Sequence, residues 1–369
     1  MASSRCCCPG CEKPGTNHCS ACKTTVYCGP NCQTADWPHH KEECEGHLHK
    51  VGMKHLTKAT GFQHVRNWMQ SLCHCDLALA KLNPMKKRPL PAISELLKLK
   101  CGALQEMHRL VESLQCAKEN YNLWAVACGP AHPITIDAAF YLIDLSISNK
   151  LYEDAELFAR TLWEIIHNDR ESRDIPAHMR PQYVARAASS LALATYRLAE
   201  SGGISLEVIP KAGKAAIAHA RQSVELSTQL YGTNDGITAT YMIQLAQILD
   251  FFNDTDDDEI LRLCEQTIAI FFRVDGRKSH NVGVSENSLA SAYKKRAIRA
   301  YGVMDLDRCV TNLELALAHF REAVRIHTTN NNTVDADRSL KGAEGMEEKL
   351  RQVTIARAAA AAAVTAARG

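Results

Sequence analysis

Much of what would point directly to a function is missing from this chain. Lys and Arg (43) barely exceed Asp and Glu (41), so the formal charge of +2 offers no basic excess with which to hold nucleic acid. No apolar run approaches the roughly twenty residues that a membrane helix needs. Gly-rich phosphate loops, nucleophile elbows and HExxH helices are absent as well, which removes the common signatures of nucleotide, acyl-transfer and metalloprotease chemistry. Alternating β-branched segments are rare, which argues against a sheet. Met1 to Arg5 leads into the first cysteines with no apolar signal stretch, so the expectation is a reducing intracellular setting, nuclear or cytoplasmic.

Cysteine is what the chain has in quantity, 16 in 369 residues, and half the story lies in one short segment. Cys8-x2-Cys11-x7-Cys19-x2-Cys22-x5-Cys28-x3-Cys32-x7-His40-x3-Cys44 forms a ladder of eight possible ligands. So short a stretch cannot bury enough apolar surface to fold unaided. Metal supplies the missing free energy: eight ligands in four close pairs make two closed tetrahedral sites, with no position open for a catalytic water. Two structural zinc ions are therefore expected. Cys6, Cys7, His18, His39, His47 and His49 could also ligate, but the x2 chelating turn between two cysteines occurs only for Cys8 with Cys11 and Cys19 with Cys22. A disulfide framework is the alternative, and it requires an oxidising compartment. Sequential and interleaved pairings of the eight are equally compatible with spacing.

The segment resembles the MYND zinc finger at all eight ligand positions and at Tyr27, Gln33, Asp36, Trp37 and Lys41. That resemblance implies an interleaved order, with Cys8, Cys11, Cys28 and Cys32 on the first zinc and Cys19, Cys22, His40 and Cys44 on the second. Trp37 lies in a module too small to cover an indole fully, one helical turn after Gln33, and an aromatic face beside an amide suits capture of a proline-containing peptide. In MYND fingers of transcriptional corepressors the peptide-binding positions correspond to Ser20, Gln33 and Trp37. The competing reading makes Trp37 a plug for the finger's small core.

Beyond the finger, Leu, Ala, Ile and Glu recur every three or four residues, which predicts an all-α remainder. Residues 45–92 are expected to form a helical connector, with one or two helices around Phe62, Val65, Trp68, Met69 and Leu72 and then a Pro/Lys-rich linker or loop from Asn83 to Pro91. Residues 93–355 are expected to form a helical repeat domain, and 356–369 an Ala-rich tail. Paired helices are predicted over 132–165, 180–229, 232–270 and 283–327. The phrase at 129–142 returns 103 residues later, with Gly232 matching Gly129, Thr238 matching Thr135 and Leu245 matching Leu142. The 132–165 pair is similar to the tetratricopeptide-type repeat of kinesin light chains, through His132-Pro133, Leu142, Tyr152, Ala155-Glu156 and Ile165. Its fold implication is a solenoid of helical hairpins. The paired asparagines of that repeat are Phe140 and Tyr141 here, so its cargo recognition is not carried over.

Two features invite over-reading. Asp254 to Glu259 lacks the central glycine of a calcium loop and reads as a solvated turn, while the seven cysteines after the finger, Cys73 through Cys309, read as small buried hydrophobes. The functional expectation is a non-catalytic adaptor whose finger takes Pro/Leu-containing peptides and whose solenoid takes a second protein, with no nucleic acid or membrane partner. One alternative is a relative of SET/MYND protein-lysine methyltransferases, prompted by Asn17-His18-Cys19, although the helical 45–130 stretch leaves no room for a strand-rich catalytic core. The other is a ubiquitin-pathway zinc module.

Overall fold

The computed structural model describes residues 5–168, 174–252 and 257–368. It is all-helical apart from one small hairpin at the N-terminal end, and it divides into two compact units, Met1–Asn149 and Lys150–Gly369.

In the first unit, strands β1 (Asn17–His18) and β2 (Val26–Tyr27) pair antiparallel and are followed by α1 (Pro30–His40). Helices α2 (Glu45–His64), α3 (Trp68–Leu82), α4 (Leu90–Glu106), α5 (Leu110–Cys128) and α6 (Pro133–Ser148) follow, and from α3 onward each packs on its predecessor. The stretch around Phe62 is thus two helices. Val65 and Met69 were expected in its packing stripe, yet both are exposed, because the chain turns between them. At that turn Arg66 adopts a left-handed φ of 55° and Asn67 N–H donates to Phe62 O, satisfying a carbonyl left over at the end of α2. Asn67 then caps α3 by accepting from Gln70 N–H. The Pro/Lys-rich stretch is a loop joining α3 to α4, anchored by buried Met85 and by Lys86 N–H donating to Glu45 Oε1 at 2.8 Å.

The second unit begins with α7 (Tyr152–His167) and continues through α8 (Arg180–Glu200), α9 (Ile209–Tyr231), α10 (Gly236–Phe252), α11 (Asp257–Val274), α12 (His280–Gly302), α13 (Leu306–Thr329) and α14 (Thr333–Arg368). The predicted pairs at 180–229, 232–270 and 283–327 are α8/α9, α10/α11 and α12/α13, each packed together. Alternate helices α8, α10 and α12 also touch, so one hairpin buries its face against the next, as stacked repeats must. Both helices of the predicted 132–165 pair form, with the unit boundary in the turn between them. The 103-residue echo is structural as well. Gly129 and Gly232 close α5 and α9 with φ of 92° and 90°, a backbone region that glycine enters at no steric cost, and Thr135, Thr238, Leu142 and Leu245 are all buried.

Asp254 to Asp256 lie outside the described residues. Asp257 and Asp258 occupy the first turn of α11, where they favour the helix dipole and pair with Arg299 and Arg296 of α12. Of the seven later cysteines, Cys75, Cys101, Cys116, Cys264 and Cys309 are buried as expected. Cys73 is exposed and Cys128, the last residue of α5, is half-buried. The Ala-rich end continues α14, in which Val353 is the last buried residue among those whose side chains are described.

Candidate metal centre

The finger folds around sulfur. Its buried hydrophobic residues are Cys6, Cys19, Tyr27 and Cys44, with five more cysteines and Trp37 packed against them, so there is almost no hydrocarbon core to hold it. The hairpin turns over Cys19 to Thr25, closed by Cys19 N–H to Thr25 O and Lys23 N–H to Cys19 O, which sets Cys19 and Cys22 on one side. Pro30 opens α1 at a position where its missing N–H costs nothing, and the helix presents Cys32, then His40 two turns later. Cys44 is the N-cap residue of α2.

Two four-donor sets result, Cys6/Cys11/Cys28/Cys32 and Cys19/Cys22/His40/Cys44, with the donor atoms of each set within 4.8 Å of one another. Cys11 Sγ lies 3.7 Å from Cys28 Sγ, Cys28 Sγ 3.3 Å from Cys32 Sγ, and Cys22 Sγ 3.5 Å from His40 Nε2. A zinc–sulfur bond of about 2.3 Å gives a tetrahedral edge of about 3.8 Å, so these separations fit the ion. Thr25 Oγ1 sits 3.5 Å from His40 Nδ1, leaving Nε2 to face the metal, and Thr24 Oγ1 donates to Cys22 Sγ at 3.1 Å. Burial raises the Cys22 thiol, but the hydroxyl and backbone groups of Thr24 and Thr25 outweigh it and bring it down to about 5, toward the thiolate that zinc requires. Burial instead lifts Cys44 to about 11, so that thiol depends on the metal for its deprotonation.

Seven of the eight ligands expected from spacing occupy these sets. Cys8 does not, and Cys6 takes its place. Arg5 bridges to Pro14, Cys6 N–H donates to Lys13 O and Cys7 N–H to Val26 O, so an extended segment lies along the hairpin. Alternation in that segment turns Cys6 inward, where it accepts from Cys28 N–H at 3.3 Å, and leaves Cys7 exposed. Cys8 opens the turn to Cys11, with its Sγ 3.9 Å from Pro9 O.

Around the second set sit the three residues expected to bind peptide. Gln33 Nε2 donates to Cys19 Sγ at 3.6 Å, Ser20 is exposed beside that cysteine, and half-buried Trp37 meets His40 and His47 edge-on, with ring centroids 6.0 and 5.1 Å away. Tyr27, fully buried, donates its hydroxyl to Asp36 Oδ2 at 2.7 Å; burial and that carboxylate hold the phenol above its ordinary range. Spacing could not reveal one further contact: Gly46, in the first turn of α2, lies against the Ala21 backbone, where a Cβ would come within 2.1 Å of the carbonyl oxygen.

Residues 8–44 match the family model described as the MYND finger. Among curated proteins, SET domain and MYND-type zinc finger protein 6 of Schizosaccharomyces pombe is 56% identical over 34 residues, which is 9% of this chain and 7% of that protein's length. Among solved structures, BtubC (BKLC) from P. vanneervenii gives a TM-score of 0.39 at 18% identity, covering 66% of this chain and 92% of the other. A Rap protein complexed with Competence and Sporulation Factor gives 0.41 at 12% identity, covering 86% and 82%. The N-terminal segment is thus a MYND finger with donor sets for two zinc ions, and an all-helical array of stacked hairpins follows it.

Proposed function

We propose that the protein is a non-catalytic adaptor, in which the finger holds a short Pro- and Leu-containing peptide and the helical array holds a second protein. The observation that carries this reading is the closure of both four-donor sets: every ligand position is filled by the protein, so zinc there shapes a surface and activates no water. Trp37 and Gln33 contribute an aromatic face and an amide to the rim of one set, which is the chemistry that stacks proline rings and bonds a peptide backbone. Two binding surfaces on one chain raise the effective concentration of their partners for each other.

Fluorescently labelled Pro- and Leu-containing peptides titrated with the full chain test the finger's role. Binding should be weak, because a shallow site buries little area, and Trp37→Ala should abolish it while the finger keeps its zinc; truncation of an aromatic anchor costs roughly 2 kcal/mol or more. Undiminished affinity in that variant would sink this role for Trp37, and loss of zinc would make the indole a plug.

The lack of catalysis is a proposal too. Strands among the described residues are confined to β1 and β2, which supports the view that no strand-rich methyltransferase core is present. The purified chain should transfer no methyl group from S-adenosylmethionine to histone or peptide substrates. Reproducible transfer would replace the adaptor reading with the SET-type enzyme.

A further inference from the structure

Far along the chain from the finger, α12, α13 and α14 bring together a set of side chains that packing alone does not explain. His280 in the first turn of α12, His327 in the last turn of α13 and Asp335 in the first turn of α14 each offer one donor atom, and the three atoms lie within 4.8 Å of one another. His327 is the unusual member. Its ring is 1% exposed, and its Nδ1 has no hydrogen-bond partner, a costly arrangement for a buried polar atom.

The surroundings are shaped to accept that ring. Position 283 on α12 is glycine, and a Cβ there would lie 2.7 Å from His327 Cε1 and 3.0 Å from Nε2, so any larger residue would displace the imidazole. Asn332 ties the other two members together: its Nδ2 donates to Asp335 Oδ2 at 2.7 Å and lies 3.4 Å from His280 Nδ1. Arg338, 65% exposed, approaches the other carboxylate oxygen, Asp335 Oδ1, only at 3.8 Å.

We propose that His280, His327 and Asp335 form a third metal site, for a divalent ion of the zinc class, that staples the three helices together. Two imidazoles and one carboxylate suit zinc and its neighbours rather than calcium or magnesium, which favour all-oxygen sets. Bound metal also supplies the lone pair of a buried imidazole with the partner it lacks. Unlike the sets in the finger, this one is incomplete, and water fills the remaining coordination.

Cobalt(II) titration of the full chain separates this site from the finger. The two finger sets are thiolate-rich and give sulfur-to-cobalt charge-transfer bands in the near ultraviolet. A third equivalent should add only weaker visible bands of nitrogen and oxygen coordination. His280→Ala removes an exposed ligand, and Asp335→Asn keeps the shape of the carboxylate. Each should lower the metal retained from three equivalents to two, with the charge-transfer bands and far-ultraviolet helicity unchanged. Saturation of the wild type at two equivalents, or retention of a third in both variants, would overturn the assignment.

Discussion

Chelation should strip the finger of both ions and unfold it while most of the chain's helical signal survives. Ligand cysteines make up three of the finger's four buried hydrophobic residues, so no packed interior remains once the metal leaves. Structural zinc contributes on the order of 10–16 kcal/mol to peptides of this kind, more than a core of this size could replace. Cobalt substitution should count two thiolate-bound equivalents, and Cys22→Ala should behave as chelation does. Cys7→Ala should be silent, because that thiol faces solvent. Cys6→Ser should cost the first ion, while Cys8→Ser should keep it; the opposite outcome would return Cys8 to the set and displace Cys6. Hydrogen exchange read residue by residue distinguishes loss of residues 8–44 from general unfolding.

Gly46→Ala should destabilise the join between the finger and α2 more than any other glycine change in that helix. Its Cβ would meet Ala21 O at 2.1 Å, Ala21 C at 2.4 Å and Cys22 N at 3.0 Å, all backbone atoms that no rotamer change can move aside. Overpacking typically costs about 1–3 kcal/mol, and rigid neighbours place this case at the upper end. The strain falls on the residue before a zinc ligand, so zinc affinity should drop as well. Gly61→Ala is the control: nothing lies within 4 Å of that Cβ, and alanine in an open helical position gains about 0.5–1 kcal/mol. Denaturant midpoints and zinc-competition titrations on the two variants should move in opposite directions. Equal shifts would show that α2 and the finger do not depend on this approach.

Much of this is legible in the sequence, where local rules operate. Ligand spacing singled out seven of the eight finger donors because chelating turns are short-range objects, and the recurrence of Gly129, Thr135 and Leu142 at Gly232, Thr238 and Leu245 marked two equivalent helix boundaries. What stayed hidden depends on distance in space. Cys6 enters the first set because an extended segment pairs with the hairpin, a register that the run Cys6-Cys7-Cys8 does not declare. Gln33 was singled out as a peptide contact, but its bond to Cys19 Sγ needs α1 placed over the hairpin. The His280, His327 and Asp335 cluster is drawn from three helices, with His280 and His327 47 positions apart and no spacing to flag it.

The two donor sets of the finger alternate along the chain, and that alternation governs how the finger can lose its metals. The segment between Cys11 and Cys28, 17 positions apart, carries Cys19 and Cys22, while that between Cys22 and His40, 18 apart, carries Cys28 and Cys32. Each ion therefore closes a loop that contains half of the other's donors. Releasing one ion opens that loop and returns its conformational entropy, so the remaining donors must be gathered again against a larger ordering cost. Partial occupancy is the unfavoured state. Under zinc scarcity the population divides into fingers holding both ions and fingers holding neither, so availability of the metal acts on the finger's fold as a threshold rather than a gradient.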